Sequence, residues 1–438
     1  MENVSIDPIY GNIPLPSWLI KIQDREEIRR MIFIRQLGLK ASISFPGAIH
    51  TRYSHSLGTM HIAGKIARIL SEKAANTGRP NIAKNLQENE NTIMAAALLH
   101  DVGHGPFSHV LDYPLKVIAK KTHEEIASEI VSYFKSELER HAIPVDYVAK
   151  IIQNSRGSPF QFISGIVNGP LDADKIDYIL RDSYHVGLKY SFDVGVFTNE
   201  LVVLGDDNDL SACELGLEHT PEAIRTAEIY ILIWKNLYDL VYYIPDSRIA
   251  EKMLEKAILI AARDNSAVKE LFTDIGKYSK MSDNDLDGQL KELTGFPKEI
   301  VERIRKGKNF LYQEGFSDIL TKKNYKMSDK FLEALKEDSD ALSDDLSKKL
   351  AERLKHDLYW YICDIIQPKI PKEIRLNKID EETGEPETLA ANSPVIRALE
   401  GEKEEIQYEI KVYVHPDEKM DEPKRKMIKE TLEAVANE

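Results

Sequence analysis

The chain has 438 residues, 42% of them hydrophobic and 30% charged, so it is long enough to bury a sizeable core. Its formal net charge of −14 argues against stable nucleic-acid binding and a membrane-surface role, because both surfaces attract basic proteins. The two cysteines, Cys213 and Cys363, are too few for a disulfide framework or a thiolate metal site. No secretory signal or apolar run of about 20 residues stands out, so we expect a cytoplasmic protein without membrane partners.

The predicted elements of the first hundred residues are an extended arm and three helices. Residues 1–20 favour the arm, because prolines disfavour helix there, and Asp24 is the predicted cap of the helix that follows. A second helix with an apolar face begins in the segment 50–58, and a third ends at Leu99. The polar stretch 75–90 between them is predicted as a loop.

The remaining chain is also predicted to be mostly helical. Apolar periodicity indicates helices over residues 122–140, 145–154, 171–182, 221–243 and 246–262, with short helices over 281–356. Two apolar runs around Gly205–Asp209 predict a β-hairpin over residues 201–215. Near the end, residues 370–405 are predicted as a loop, 406–414 as a strand and 423–435 as a helix.

We therefore predict a mostly α fold with a small β-hairpin and a small α+β appendage at the C-terminus. The predicted segments are an N-terminal arm with the first helix (1–45), a catalytic core (46–265), a helical extension (266–369) and the appendage (370–438).

The stretch from His100 to His109 carries three histidines and an aspartate at the end of an apolar helix. Imidazole and carboxylate suit borderline and hard divalent cations. The candidate ligands are His55, His100, Asp101 and one aspartate out of Asp172, Asp174 and Asp177. A lone histidine before a helix, such as His55, is more often a cap, but the clustering around His100 favours a site.

A resemblance sharpens this hypothesis. His55, His100–Asp101 and Asp174, in that order, resemble the H…HD…D signature of the HD-domain phosphohydrolase superfamily. The segments 45–58, 100–109 and 172–182 resemble its deoxynucleoside triphosphate triphosphohydrolase branch, which includes bacterial dGTPases and the HD part of the vertebrate sterile-alpha-motif and HD-domain protein. The resemblance covers roughly residues 4–320. It implies an all-α HD-domain core that hydrolyses a dNTP to deoxynucleoside and inorganic triphosphate, with water attacking the α-phosphorus.

The resemblance also implies roles for individual residues. The implied ligands of a divalent metal ion (Mg²⁺, Mn²⁺, Zn²⁺, Fe²⁺ or Ni²⁺) are His55, His100, Asp101 and Asp174. The implied catalytic groups beside the phosphates are His104, His109 and His123, with Asp112 and Glu124 orienting the last two.

The substrate contacts implied by the resemblance lie on both sides of the metal site. Arg52, Lys175 and Tyr178 match triphosphate contacts; Asp182 and Gln36 match groups near the sugar 3′-hydroxyl; Leu37 and Tyr242 match packing around the sugar. Without the resemblance, a structural role is favoured for these residues: a solvated helix face for Lys175 and Asp182, and a core position for the tyrosines.

The chain departs from the family pattern on the helix at 229–243. The family expects an arginine for the triphosphate and a histidine near the base, where this chain carries Trp234, Lys235 and Tyr238. Lys235 is the predicted replacement for the cation, and Tyr238 stands at the position of the histidine.

The resemblance further implies a homo-oligomer, either dimer or tetramer, and an activating nucleotide. Asp24 matches a guanine-reading aspartate, and Val4 and Lys308 are the other predicted contacts. Two other functions stay open. One is an HD phosphohydrolase acting on a nucleoside monophosphate or another phosphoester, and the other is a nucleotide sensor with a vestigial site.

Overall fold

The computed structural model describes residues 3–153, 161–322, 324–357, 359–401 and 407–438. The described chain is mostly helical with small sheets, which confirms the predicted fold class. Its N-terminal elements are β1 (Val4–Asp7), β2 (Gly11–Pro14), α1 (Ser17–Ile22), α2 (Glu26–Arg29) and α3 (Lys40–Ile43). The predicted arm is therefore an antiparallel hairpin followed by a helix, and Arg25, not Asp24, precedes α2 as its N-cap.

Nine helices of the described chain lie between residues 52 and 199, the part that contains the histidine-rich turn. They are α4 (Arg52–Asn76), α5 (Pro80–Leu99), α6 (Asp112–Ile118), α7 (His123–Val131), α8 (Lys135–Glu139), α9 (Val145–Ile152), α10 (Gln161–Val167), α11 (Ala173–Val186) and α12 (Val194–Asn199). The loop prediction for residues 75–90 is wrong, because α5 already starts at Pro80. Its polar first half still buries Ile82, Ala83 and Leu86 on one face.

The next part of the chain continues the same core. It contains β3 (Leu201–Leu204), β4 (Glu214–Leu217), α13 (Pro221–Leu237), α14 (Pro245–Asp264), α15 (Ser266–Thr273), α16 (Ile275–Tyr278), α17 (Asp283–Lys291) and α18 (Gly295–Lys306). The predicted hairpin is formed by β3 and β4, with Leu201 opposite Leu217. A single π-helical turn, Tyr238–Tyr242, follows α13 directly.

The last elements contribute to two sheets. They are β5 (Gln313–Leu320), α19 (Asp329–Glu337), α20 (Ser339–Leu354), β6 (Tyr361–Ile366), β7 (Arg375–Ile379), β8 (Pro386–Thr388), α21 (Leu389–Asn392), α22 (Pro394–Gly401), β9 (Tyr408–Val414) and α23 (Glu422–Asn437). β7 and β8 extend the β3–β4 hairpin into a four-stranded sheet, so the loop prediction for 370–405 is wrong. β5, β9 and β6 form a separate antiparallel sheet.

This three-stranded sheet has its own apolar core, together with α19, α20 and α23. It draws on residues before and after 370, whereas Leu376, Leu389 and Ile396 belong to the main core. The strand β5 falls where only short helices were predicted. The predicted segment boundaries stay a prediction.

One face of α14 joins the main core to this second core through ion pairs on three successive turns. Arg248, Lys252 and Lys256 pair with carboxylates of the second core at 2.5 to 2.6 Å, namely Asp364, Asp340 and Asp344. Among the residues that the structure describes, no helix has both the length and the apolar character that crossing a bilayer requires.

Candidate active site

Three helices bring the four predicted metal ligands to one point. His55 on α4 places Nε2 3.0 Å from Asp174 Oδ1 on α11, and His100 Nε2 at the end of α5 lies 3.5 Å from the same oxygen. Ligand atoms of these three residues lie within 4.8 Å of one another. Asp101 Oδ2 lies 3.5 Å from His55 Nε2, so the fourth predicted ligand adjoins the group.

The two imidazole rings are oriented by their other nitrogens. His55 Nδ1 donates to Asp177 Oδ2 at 2.7 Å, and His100 Nδ1 donates to the Ala97 carbonyl at 2.8 Å. In the neutral form of each ring, Nε2 is therefore the nitrogen with the lone pair, and it faces the carboxylates. His100 Nε2 is buried and has no hydrogen-bond partner in the described part of the structure. This donor set fits a divalent cation.

The three aspartates that the sequence left open have different positions. Asp174 faces the two histidines, whereas Asp172 caps α11 by accepting from the Lys175 amide at 2.7 Å. Asp177 holds His55 and is itself held by Arg181, whose Nη1 reaches Asp7 Oδ2 at 2.8 Å. No role was predicted for the Asp7–Arg181 pair, although Arg181 stands one helical turn after Asp177.

Gly58 allows α4 to lie this close to α11. A Cβ atom added at Gly58 would lie 1.8 Å from Asp177 Oδ1 and 2.4 Å from Arg181 Nη2. Both atoms belong to buried side chains that are fixed by their own hydrogen bonds. Position 58 therefore requires glycine, because the side chains of Asp177 and Arg181, which support His55, occupy the space that a Cβ atom would need.

The ligand cluster carries excess negative charge. Burial disfavours the charged ring of His55, but hydrogen bonds to Asp174 and Asp177 outweigh it and raise the pKa of His55 to about 10. Burial also opposes ionisation of Asp101, yet the charges of Arg52 and His100 hold the pKa of this carboxyl well below its usual range. The carboxylates stay ionised and hold a proton on His55, and a divalent cation would bind here by displacing that proton from Nε2.

A second cluster of histidines adjoins the first and is centred on Asp112. Asp112 Oδ2 accepts from His109 Nδ1 at 2.9 Å, and Oδ1 accepts from His123 Nδ1 at 3.1 Å. The His104 ring stacks on that of His123 with centroids 3.8 Å apart, and its Nε2 lies 3.4 Å from Asp101 Oδ1. Glu124 Oε1 lies 3.3 Å from His123 Nε2.

The stacked rings have opposite tendencies to hold a proton. Burial opposes charging of His123, but the hydrogen bond and charge of Asp112 outweigh it and raise the pKa of His123 above its ordinary value. Burial and the charge of Arg52 lower the pKa of His104 well below its ordinary value. At neutral pH this favours a protonated His123 beside a neutral His104.

The turn between α5 and α6, which carries His104 and precedes His109, lies close to α7 and has an unusual backbone conformation. A Cβ atom at Gly103 would lie 1.9 Å from the His123 carbonyl oxygen, so glycine lets the turn reach α7. Phe107 and Ser108 both adopt a φ of 57°, a conformation that costs non-glycine residues of order 1–3 kcal/mol each. Asp283 stabilises this turn by accepting from the Phe107 amide at 2.7 Å, a contact that sequence reasoning missed.

Arg52 bridges the turn and the metal ligands. Its Nε donates to Ser108 Oγ at 2.9 Å and its Nη1 to Asp101 Oδ2 at 2.6 Å. Its Nη2 is buried and has no partner among the described residues. A cation with a free buried donor beside the ligands suits a phosphate oxygen.

A cavity of about 320 Å³ collects most of the predicted substrate residues. Those that line it are Gln36, Leu37, Tyr178, Asp182, Tyr238 and Tyr242, and the predicted catalytic residue His109 lines it as well. Asp182 is fixed there, because it accepts from the Tyr242 hydroxyl at 2.5 Å and lies 2.7 Å from His50 Nε2. Sequence reasoning missed His50, although it stands only two residues before Arg52. Gln36 Oε1 is buried without a partner in the described residues.

A second cavity of about 330 Å³ lies beside the first and is lined by Lys175, Trp234 and Tyr238. Lys175 Nζ donates to Asp172 Oδ2 at 2.7 Å, and Trp234 Nε1 donates to the Tyr178 hydroxyl at 2.9 Å. Lys235 lines neither cavity, and its Nζ lies 3.7 Å from Asp239. The structure therefore does not bring Lys235 to the other predicted substrate residues.

Two of the predicted regulatory residues, Val4 and Asp24, line neither cavity. Val4 on β1 is 44% exposed, and the side chain of Asp24 is 79% exposed and 3.3 Å from Arg29. The side chain of Lys308 falls outside the described part of the structure.

Comparison with known proteins gives two family matches. The family model of the HD domain matches residues 52–179, and that of the HD associated region matches residues 210–435, about half of the chain. The first includes all four predicted ligands. The second covers the C-terminal part of the main core and nearly all of the second core.

Three relatives illustrate the similarity. "Uncharacterized protein MJ1154" of Methanocaldococcus jannaschii is 29% identical over 309 residues, 70% of this chain and 58% of that protein. "Deoxynucleoside triphosphate triphosphohydrolase SAMHD1" of Bos taurus is 32% identical over 243 residues, 47% of this chain and 39% of that protein. Its homolog in Dictyostelium discoideum is 25% identical over 359 residues, 78% of this chain and 63% of that protein. This chain thus spans less than two thirds of each relative, and it belongs to the family of HD-domain proteins that carry the HD associated region.

Proposed function

We propose that the protein is a metal-dependent phosphohydrolase that converts a deoxynucleoside triphosphate to deoxynucleoside and inorganic triphosphate. The observation that carries this proposal is the junction of two clusters at Asp101. One of its oxygens lies near the metal ligand His55, and the other lies 3.4 Å from His104 of the histidine cluster. The candidate cation site therefore adjoins the histidine cluster, and His109 of that cluster lines the substrate cavity. Two of the relatives carry the name of this activity.

The predicted ligands His55, His100, Asp101 and Asp174 would hold the metal. A bound divalent cation supplies Lewis-acid polarisation of a phosphate oxygen and eases the ionisation of water. The free Nη2 of Arg52 would donate to a phosphate oxyanion as charge develops on it.

The histidine cluster would handle the proton of the leaving group. Protonated His123 can donate to the departing 5′ oxygen, and Asp112 stabilises the charged ring before the transfer. His109 shares the same carboxylate and lines the cavity, so it would contact the reacting phosphate. His104 stays neutral and packs against the acid.

The sugar would lie against Asp182, with Leu37 and Tyr242 beside it. Asp182 can accept from a 3′-hydroxyl while Tyr242 fixes its other oxygen. The free Gln36 carbonyl oxygen offers a second acceptor. We propose that close packing of Leu37 and Tyr242 disfavours a 2′-hydroxyl.

A second candidate is hydrolysis of a phosphomonoester at the same metal site. It is favoured by Trp234, which stands where the family pattern expects an arginine for the triphosphate. A product assay with four dNTPs, four NTPs and a generic phosphomonoester separates the two. We expect deoxynucleoside and inorganic triphosphate from a dNTP. Orthophosphate as the sole product would contradict the proposal.

The matched variants for that assay are Asp101→Ala and Asp417→Ala. Asp101 is a predicted ligand, so its loss should abolish turnover and bound metal. Asp417 has a side chain that is 76% exposed and should be silent. Family resemblance also leads us to propose a dimer or tetramer, an activating nucleotide bound near Asp24, Val4 and Lys308, and a cytoplasmic location.

A further inference from the structure

The two cavities share part of their wall. Tyr238 and Lys369 line both of them. Lys369 lies in the segment 367–374 between β6 and β7, within the HD associated region. Residues of this segment, including Lys372, form one side of the second cavity, and Lys175 and Trp234 line it as well.

The lysines of the second cavity differ in how their charge is compensated. Lys175 is neutralised by Asp172 and also donates to the Gly169 carbonyl at 2.9 Å. Lys369 and Lys372 form no ion pair with a described residue. Burial and the nearby cations Arg248 and Lys372 lower the pKa of Lys369. The cavity therefore presents positive charge that the described protein does not balance, which favours an anionic ligand.

An aromatic row fixes Lys369 beside the proposed substrate cavity. Its Nζ lies 5.6 Å from the centroid of the Tyr238 ring. That ring packs edge-on against Trp234 at 5.0 Å and against Tyr242 at 4.9 Å. Trp234 donates a hydrogen bond to Tyr178, and Tyr242 donates one to Asp182. Lys369 therefore lies against the aromatic residues that separate the two cavities.

We propose that Lys369 provides the cation that binds the distal phosphates of the substrate. It would replace the arginine that the family pattern expects on α13, where this chain has Trp234. The proposal rests on the function proposed above and deepens it. A substrate bound at the metal and at Lys369 carries a chain of phosphates, whereas a phosphomonoester would have no group for Lys369. Lys235, the cation predicted from sequence, does not line either cavity.

The test compares Lys369→Gln with Lys369→Arg and with Lys378→Gln in the full chain. Lys378 lies on β7 in an ion pair with Glu387 and lines neither cavity, so it controls for loss of one lysine. Calorimetry would measure the Kd for inorganic triphosphate in the presence of a divalent cation. The Kd of Lys369→Gln should be roughly tenfold higher than that of wild type, the effect of losing one charge-assisted contact. The Kd of Lys369→Arg should stay within about threefold of the wild-type value, and the Kd of Lys378→Gln should equal the wild-type value.

Kinetics supply an independent readout. With a dNTP, Lys369→Gln should raise KM by roughly tenfold and leave kcat within about threefold, because binding energy is lost before the chemical step. Hydrolysis of a phosphomonoester should be unchanged. A triphosphate Kd for Lys369→Gln equal to that of wild type would overturn the assignment, and so would a wild type that binds no triphosphate. A wild type that binds triphosphate through Lys369 but releases only orthophosphate from dNTPs would refute the proposed reaction and leave the assignment standing.

Discussion

The carboxylate of Asp177 lies 2.7 Å from Nδ1 of His55, on the side of the ring opposite Asp174. This contact decides which nitrogen carries the proton and which faces the candidate metal. Such carboxylate support raises the basicity of a ligating histidine and fixes its orientation.

We therefore expect Asp177→Asn to weaken divalent-cation binding by roughly 10- to 100-fold. Equilibrium dialysis of the folded variant would measure this, with Asp417→Asn as a control for an exposed aspartate. Unchanged metal affinity would show that Asp177 serves only Arg181. Circular dichroism would verify that the helices persist, because Arg181 retains its contact with Asp7.

Asp112→Asn should shift the alkaline limb of the pH–rate profile to lower pH. Asp112 raises the pKa of His123, and the proposed acid is active only while it is protonated. Loss of the carboxylate charge removes that support, so activity should be lost at a lower pH as the pH rises. Glu124→Gln should shift the limb less, because Glu124 acts on His123 through its charge alone, whereas Asp112 also accepts a hydrogen bond from His123. Equal shifts in both variants would contradict this order.

Gly58→Ala should destabilise the fold by about 1–3 kcal/mol, since the added methyl group would overlap Asp177 and Arg181. Urea unfolding followed by circular dichroism would measure the change. The matched control is Gly288→Ala within α17, where an added Cβ meets nothing within 4 Å. Alanine is the better helix former, so this control should stabilise by roughly 0.5–1 kcal/mol. Two variants of equal stability would show that α4 and α11 can move apart.

Glu255→Gln should alter how stability depends on pH. Burial raises the pKa of Glu255 to about 7 from an ordinary value of 4.5, although Lys252 opposes the shift. Between these values the folded chain holds a proton that the unfolded chain releases, so stability falls as the pH rises from 4.5 through 7. From pH 5 to pH 8 the wild type should lose about 2 kcal/mol more than the glutamine variant. Parallel pH dependences in denaturant unfolding would contradict this.

The helical core could be predicted because its signals are local. The meeting of four ligands was expected only from the resemblance, since the residues alone left Asp172, Asp174 and Asp177 open. His100 and Asp101 end a helix with an evident apolar face, and Asp174 lies in the first turn of another. The remaining contacts depend on distant pairs. Asp283 reaches Phe107 across 176 residues, and nothing near either residue marks the contact. β5 lacks a clear alternation of apolar and polar residues, and its pairing with β9 stabilises it instead. The roles of the site residues stay predictions.

The ion pair between Arg248 and Asp364 connects the β5–β9–β6 sheet to the substrate cavity, which Arg248 lines. Asp364 lies on β6, and β6 ends only three residues before Lys369. The three-stranded sheet thus supports one wall of the cavity. Its central strand, β9, is formed by residues 408–414. A truncated chain that ends before β9 would therefore keep every predicted metal ligand and still lose the sheet that supports Lys369.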